Sequence, residues 1–433
     1  MASPGSRASP GGGEREPGAP RFGAFSYGPY RQYWFASLAR VFGLQFSLIA
    51  SGWLVVVVLD RSPIWIGIVG LAQAIPTIVL SVPGGVLADR LDNKRLITVS
   101  QGLATLVHLG LALLVVTGRA NIWLVIAWAL WSGALTAIGN PSLQSILPRL
   151  IEMRAMASAV AFNSAIWNSM RIVGPAIAGV MIAVIGTGQA FLVTAVGFGA
   201  STLLLGALRM RPAPPAAAGG DRSLMSGLRY IAGHRLFLAV IGLSFFSSVF
   251  GMSYQLLMPI FADEVLGVGS VGFGFMETCA GVGALLGTLS VVRLGAGRHR
   301  GRVMIFAAML FGLLVAGFAA STWFSLSLAM LFAVGFTSSV YLNVGMTTLQ
   351  VMVPNELRGR VMGIWSMTWF LTSVGSFVVG AAAEVLGVSV TVAIGGLAVT
   401  AFAVGVYAAS PELRRLPALD EGRAPAGAPA GGG

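Results

Sequence analysis

The sequence QSILPRLIEMR at residues 144–154 is followed about two hundred residues later by QVMVPNELRGR at residues 350–360. Glutamine, proline and arginine occupy the same positions in both segments, the first, the fifth and the eleventh. Long apolar stretches precede and follow each segment, so the repeated unit is a pair of membrane helices joined by a short polar turn. The sequence therefore predicts two homologous membrane halves.

The composition also indicates a membrane protein. Hydrophobic residues make up 56% of the 433 residues and charged residues only 10%, whereas about 25% of the residues in a typical soluble domain are charged. A soluble fold could not cover that much apolar surface. The single cysteine, Cys279, excludes an internal disulfide and a cysteine-built metal site. We expect no metal ion and no cofactor.

Twelve apolar segments are long enough to cross a bilayer, which takes about 20 residues. We place them at residues 32–59, 64–88, 96–117, 121–147, 156–185, 188–208, 236–261, 269–292, 303–320, 323–350, 360–384 and 388–409. The expected fold is an all-α membrane protein with twelve transmembrane helices in two pseudo-symmetric six-helix bundles. The expected domains are a disordered tail (1–29), an N-terminal bundle (30–208), a linker (209–235), a C-terminal bundle (236–410) and a second disordered tail (411–433).

The basic residues predict the orientation in the membrane. Nearly all of the 27 Lys and Arg lie in the tails, the linker and the loops on the same side as the N-terminus, and the opposite loops hold only Arg61 and Arg119. The positive-inside rule then places both termini in the cytoplasm. The net charge of +12 reflects this topology and an attraction to lipid headgroups, so we expect no nucleic-acid partner.

The loop after the second span carries a charged motif, GGVLADRLDNKR at residues 84–95. It resembles the signature loop of the major facilitator superfamily, whose pattern is matched at Gly85, Asp89, Arg90 and Lys94. Asp92 stands where the family has a glycine, and Asn93 stands where it has a base. The resemblance implies that Gly85 permits close helix packing and that Asp89 faces a helix N-terminus and closes the cytoplasmic side. Alternatively, the loop is solvated and only fixes the topology.

The fifth span contains Gly174, Pro175 and Gly179 in the pattern Gly-Pro-x-x-x-Gly. This is similar to the motif that marks the exporter branches of the same superfamily, where it bends the helix and packs the two halves together. Ordinary packing of a kinked helix explains the pattern equally well. Together with residues 163–175 and 353–360, the motif resembles the efflux subfamily that includes enterobactin and macrolide exporters.

Arg171 is a charged residue about fifteen residues into the fifth span, hence ~22 Å along an axis that crosses about 30 Å of hydrocarbon. An unpaired arginine at that depth costs about 2.5–3.5 kcal/mol, so the side chain must face the bundle interior or a hydrated cavity. Ser164 and Asn168 share its helix face. Arg171 either satisfies backbone carbonyls at the seam between the halves or takes part in transport. Arg40, in the first span, is expected to reach the cytoplasmic interface.

Glu277, in the eighth span, is the only acid well inside a predicted span. A carboxyl in an intermittently hydrated site of low dielectric constant can exchange a proton near neutral pH. We therefore predict Glu277 as the proton site with Arg171 as its partner in coupling, because the family resemblance places the fifth and eighth helices side by side. Alternatively, Glu277 is a hydrated carboxylate in an outer vestibule.

Polar and aromatic side chains at helical spacing indicate a central cavity for an amphipathic molecule. We predict that its lining includes Ser164, Asn168, Gln73, Gln255, Trp365 and Trp369. The alternative is that the small polar residues only pack helices together and that the tryptophans face the lipid interface.

Other functional classes lack their sequence signatures. An ATP-driven pump needs a phosphate-binding loop that contains Lys, but the only lysine is Lys94, which is followed by Arg95. The sequence contains neither His-Glu-x-x-His nor Gly-x-Ser-x-Gly, so we expect no enzyme. We expect a monomeric secondary exporter in a bacterial cytoplasmic membrane that exchanges an amphipathic small molecule for protons. The alternatives are a dedicated siderophore exporter and a receptor or scaffold built on a transporter fold.

Overall fold

The computed structural model describes residues 23–209, 224–294, 299–414 and 416 of the chain. The N-terminal half consists of α1 (Gly28–Val58), α2 (Pro63–Arg90), α3 (Asn93–Val116), α4 (Ile122–Ile146), α5 (Met156–Ile185) and α6 (Thr187–Gly206). The C-terminal half consists of α7 (Arg235–Val265), α8 (Gly269–Leu294), α9 (Arg300–Ala320), α10 (Phe324–Met352), α11 (Asn355–Leu386) and α12 (Val388–Ala409).

Among the described residues, 11 helices are long and apolar enough to cross a membrane. The remaining helix of the two bundles is α11. It is 32 residues long, but its apolar part covers only Leu371–Leu386. Its first turns carry the charged residues of the repeated segment, so the helix extends beyond the apolar stretch. The predicted all-helical fold with two six-helix halves is confirmed.

The two halves repeat each other in a backbone irregularity as well as in sequence. Helix α1 ends in a π-helical turn at Leu54–Val58, and α7 ends in one at Phe261–Val265. Helix α7 contains another π-helical turn, Ser247–Gly251, in its middle. Such turns widen the helix locally and occur often at functional sites.

We call the end of the bundle at which α6 finishes and α7 begins the linker end, and the opposite end the far end. At the far end, α2 packs against α11, and a Cβ added to Gly67 would lie 2.5 Å from the Cα of Phe377. There too, α5 packs against α8, where Gly179 faces Gly274. Because these contacts join backbone to backbone, the two halves are in close contact at the far end.

Towards the linker end the same helix faces lose their partners. On α5 the face that holds buried Pro175 and Gly179 continues to Ser164, which is exposed. On α2 a Cβ added to Gly85 would meet no atom within 4 Å. The space between the halves therefore widens from the far end to the linker end.

Short ordered segments flank the bundle where we expected disordered tails. Residues 23–29 are ordered because the backbone N–H of buried Ala24 donates to Ser158 Oγ at 2.7 Å, and α1 begins at Gly28. Residues 411–414 form a helical turn whose buried Leu413 packs by its carbonyl group against Gly301. The expectation of disorder was wrong for these segments, and the remainder of both tails lies outside the described residues.

The predicted linker contains a helix that the sequence analysis did not anticipate, Leu224–Gly233, which packs against α11. Partial burial raises the pKa of the Tyr230 hydroxyl in this helix. The His234 ring lies against Tyr230, with ring centroids 4.4 Å apart.

Candidate functional site

A cavity of about 440 Å³ lies between the two halves. Helices α1, α2, α4 and α5 of the N-terminal half and α7 and α8 of the C-terminal half contribute to its wall. Stacked rings of Trp53 and Phe273, with centroids 6.3 Å apart, join α1 to α8 beside it. Gly52 lies against the Pro259 ring there. These contacts close the cavity towards the far end.

A second lobe of about 210 Å³ extends into the C-terminal half. Arg171 and Gln255 line both this lobe and the main cavity, so the two volumes adjoin. The second lobe is more polar, because it is lined by Thr288, Ser338, Ser339 and Asn343.

Arg171 lies at the junction of the two lobes, and its side chain is exposed to this space. The residue four positions later, Pro175, has no N–H to bond to the Arg171 carbonyl. Gly281 of α8 packs against that carbonyl, and a Cβ added there would lie 3.0 Å from the oxygen. The kink-forming proline and the glycine thus bring α8 against α5 at the level of Arg171.

Glu277 of α8 lines the main cavity together with Arg171 and is partly exposed to it. Among the described residues, no salt bridge of 4.0 Å or less joins Arg171 to Glu277, so the two residues share the cavity without a direct ion pair. Both side chains can therefore interact with a bound molecule in this cavity.

The α5–α8 seam is held by side-chain hydrogen bonds to backbone carbonyls. Ser270 Oγ donates to the Gly179 carbonyl at 3.0 Å, and Thr278 Oγ1 donates to the Ile172 carbonyl at 2.9 Å. Gly174 instead faces α1, where an added Cβ would lie 2.6 Å from Gln45 Cβ. The Gly-Pro-x-x-x-Gly segment therefore packs α5 against both halves.

Of the polar residues predicted for the cavity, Gln73, Asn168 and Gln255 line it. Ser164 does not, and its carbonyl accepts a hydrogen bond from Asn168 Nδ2 at 2.8 Å. Helix α2 is fixed beside Gln73 by Thr77, whose Oγ1 donates to the Gln73 carbonyl at 2.8 Å and to the Gly133 carbonyl at 3.1 Å.

The two predicted tryptophans belong to α11. Trp365 lines the second lobe, is 5% exposed and packs against Gly345 of α10. The structure describes the backbone of Trp369 but not its side chain. The ring of Trp365 therefore faces the protein interior and not the lipid interface.

Two further tryptophans, which the sequence analysis did not select, line the main cavity. Trp167 lies one residue before Asn168, and Trp128 of α4 is 5% exposed with an indole N–H that has no acceptor among the described residues. Trp167 lies four residues before Arg171 and therefore on the same helix face, so its position in the sequence already indicates a place in the wall.

Arg40, which we expected to reach the cytoplasmic interface, lies against the ring of Trp167 on α5. Its guanidinium carbon lies 5.9 Å from the centroid of the Trp167 ring, and its Nε is buried without a hydrogen-bond partner among the described residues. The aromatic face attracts the cation and keeps it beside the cavity wall.

The motif after α2 is only partly described. The backbone of α2 continues through Asp89 and Arg90 to its end, but the side chains of these two residues lie outside the described part. Lys94 is in the first turn of α3. Asp92 caps this helix, because its Oδ1 accepts hydrogen bonds from the N–H groups of Lys94 at 2.8 Å and Arg95 at 3.4 Å. An aspartate directly before a helix is a common N-cap, so the sequence indicates this cap, although we did not predict it above.

The last arginine of the first repeated segment, Arg154, lies outside the membrane helices. Its Nε lies 2.6 Å from Glu152 Oε2, and a hydrogen bond with Tyr27 raises the pKa of its guanidinium, with a further contribution from Glu152.

The described residues contain no group of three or more His, Cys, Asp or Glu that could hold a metal ion.

Comparison with known proteins gives matches along most of the chain. A family model described as transmembrane secretion effector matches residues 19–425. The staphyloferrin A transporter of Staphylococcus aureus is 27% identical over 385 residues, which cover 87% of this chain and 95% of that protein. The enterobactin exporter EntS of Escherichia coli is 25% identical over 286 residues, covering 65% of this chain and 68% of that protein.

Solved structures show a similar fold. The crystal structure of a variant of a peptide transporter superposes with a TM-score of 0.71 at 13% identity and covers 90% of this chain and 96% of that chain. This similarity concerns the arrangement of the helices alone.

Proposed function

Because the chain belongs to the transmembrane secretion effector family of the major facilitator superfamily, we propose that it is a secondary exporter. It moves an amphipathic small molecule out of a bacterial cell in exchange for protons. The linker end faces the cytoplasm, both termini lie there, and one chain suffices for transport.

The observation that carries this proposal is the cavity between the halves. It is closed at the far end by contacts of α2 with α11 and of α5 with α8, and the helix faces separate towards the linker end. A site between two repeats that can rock against each other is the arrangement that alternating access requires. In this conformation a molecule would enter from the cytoplasm.

The cavity wall suits an amphipathic molecule. Trp128, Trp167 and Phe273 offer aromatic surface, and Gln73 and Gln255 offer amide groups that both donate and accept hydrogen bonds. Such a lining binds by apolar area and a few polar contacts, without imposing one strict geometry.

In the proposed coupling, Glu277 carries the proton. Among the described residues it is the only acid in the wall of either lobe, and Arg171 lines the same cavity. When the far end opens, Glu277 takes up a proton from outside, and when the linker end opens, it releases the proton to the cytoplasm. Arg171 favours the charged carboxylate as the two groups approach, so its movement relative to Glu277 changes the affinity for the proton.

A second candidate is a dedicated siderophore exporter. The observation in its favour is that two relatives of this chain are a staphyloferrin A transporter and an enterobactin exporter. Both candidates use the same cavity and the same alternating movement, and they differ in the range of molecules carried.

The experiment is proton-coupled efflux in proteoliposomes that contain the full chain. Adding a transported molecule should start a proton flux in the opposite direction, and a panel of chemically diverse molecules and siderophores should separate broad from dedicated export. Glu277→Gln should abolish uphill efflux while downhill exchange persists, because the amide keeps its hydrogen bonds but cannot ionise. Full proton-driven accumulation by this variant would place the coupling site elsewhere.

A further inference from the structure

We propose that the central cavity selects molecules with an anionic group, and that Arg171 binds that group. This inference rests on the proposed function and adds the chemical class of the transported molecule. It starts from the charges in and behind the cavity wall.

Positive charge exceeds negative charge at this site. Of the described residues that line the two lobes, only Arg171 and Glu277 carry a formal charge. Arg40 adds a second positive charge directly behind the wall, because it lies over the ring of Trp167, which lines the main cavity. Even with Glu277 ionised, the site carries an excess of one positive charge.

This excess lacks a counter-charge within the described part of the chain. Arg171 forms no salt bridge there, and Arg40 Nε is buried without a partner. Unpaired cations within the hydrocarbon thickness of a membrane are costly, and a bound anion would relieve that cost. Guanidinium groups bind carboxylates and other oxyanions with paired N–H donors.

The hydrogen-bonding groups of the wall agree with this assignment. The amide groups of Gln73 and Gln255 belong to the wall and can donate hydrogen bonds to an anionic oxygen. The aromatic surface of Trp167 and Phe273 would contact the apolar part of the same molecule.

The position of Arg171 lets it bind an anion from the open side. Its side chain is exposed at the junction of the two lobes, and α5 exposes Ser164 further towards the linker end. An incoming anion therefore meets Arg171 before it reaches Glu277, which lies nearer the far end of α8.

The inference can be tested by binding of three fluorescent probes with one apolar body and different charges: dansylglycine (anionic), dansylamide (neutral) and dansylcadaverine (cationic). Each is titrated into the full chain in lipid nanodiscs at pH 7. Wild-type protein should bind dansylglycine at least about tenfold more tightly than dansylcadaverine, because a charge-assisted hydrogen bond exceeds a neutral one by about this factor.

Arg171→Gln should weaken dansylglycine binding by about tenfold or more and change dansylamide binding by less than about twofold. Arg171→Lys should retain the preference for the anion, and Glu277→Gln should strengthen anion binding because a repelling charge is removed. Arg119→Gln, which removes an exposed arginine outside the cavity, is the matched control and should change nothing.

Equal or tighter binding of the cation, failure of wild-type protein to bind the anion, or an Arg171→Gln variant with unchanged anion affinity would each overturn the inference. Efflux of neutral or cationic molecules by the same protein would leave the exporter function standing. Conversely, Arg171-dependent anion binding without any efflux in proteoliposomes would remove the exporter function and keep the anion site.

Discussion

The closed far end can be tested by adding one methyl group to the α5–α8 seam. In Gly274→Ala, the new Cβ would lie 2.5 Å from the Pro175 carbonyl oxygen, 3.2 Å from Gly179 Cα and 3.3 Å from the Pro175 carbonyl carbon. Ordinary contacts between such atoms are about 3.5–4.0 Å. All three partners belong to the backbone of α5, so no side chain can rotate away and the helices must separate.

The energy of this overlap sets the expected effect. Overpacking a closed interface costs about 1–3 kcal/mol. If the seam separates when the far end opens, this cost falls only on the conformation described here. Since 1.36 kcal/mol corresponds to a tenfold change in an equilibrium constant, the population with an open far end should rise by about 5- to 150-fold.

The assay is labelling of a cysteine at Ile66, which is 4% exposed and lines the cavity near the far end. The background is Cys279→Ala, and the reagent is a membrane-impermeant maleimide added from outside. Gly274→Ala should accelerate labelling. Gly110→Ala is the control, because a Cβ at Gly110 meets no atom within 4 Å. A folded Gly274→Ala protein that labels at the wild-type rate would show that this seam does not separate when the far end opens.

Three further predictions concern the topology and the loop between α2 and α3. In the Cys279→Ala background, a cysteine at Arg119 should react with an impermeant maleimide in intact cells and a cysteine at His299 only after permeabilisation; the reverse pattern would contradict the proposed orientation. Asp89→Asn should leave the protein folded but reduce efflux, since an amide loses a charge–dipole attraction of about 0.3–1 kcal/mol; normal efflux would show that Asp89 does not close the cytoplasmic side. Asp92→Ala should lower the free energy of unfolding by about 0.5–2 kcal/mol because the α3 cap is lost, whereas Asp92→Asn should keep the cap and the stability. Equal melting temperatures of the two variants in detergent would exclude the capping role.

The fold and the family could be predicted because their signals are local or repeated. Each membrane helix is encoded by its own apolar stretch, and the family match along residues 19–425 confirms the resemblance seen in the loop after α2 and in the Gly-Pro segment. The cap at Asp92 has the same local character. A hydrogen bond between residues two positions apart depends on no other part of the chain.

The site could be predicted only in part. The spacing of Asn168 and Arg171 placed both on one face of α5, and both line the cavity. Spacing could not show that Trp128 of α4 completes the same wall or that Arg40 lies under Trp167. These neighbours come from different helices, and their meeting depends on how each helix is rotated about its axis.

The sequence by itself determined the number of membrane helices, their division into two related halves and the distribution of charge between the two ends. These properties follow from hydropathy and residue order, because the apolar length and the flanking charges of each segment decide whether and in which direction it crosses the membrane. The tertiary structure alone decided that Arg171 and Glu277 share a cavity without a direct ion pair. Their relation depends on glycine contacts between helices, such as Gly281 against the Arg171 carbonyl, because the depth and rotation of one helix against another are set by side-chain packing over many residues.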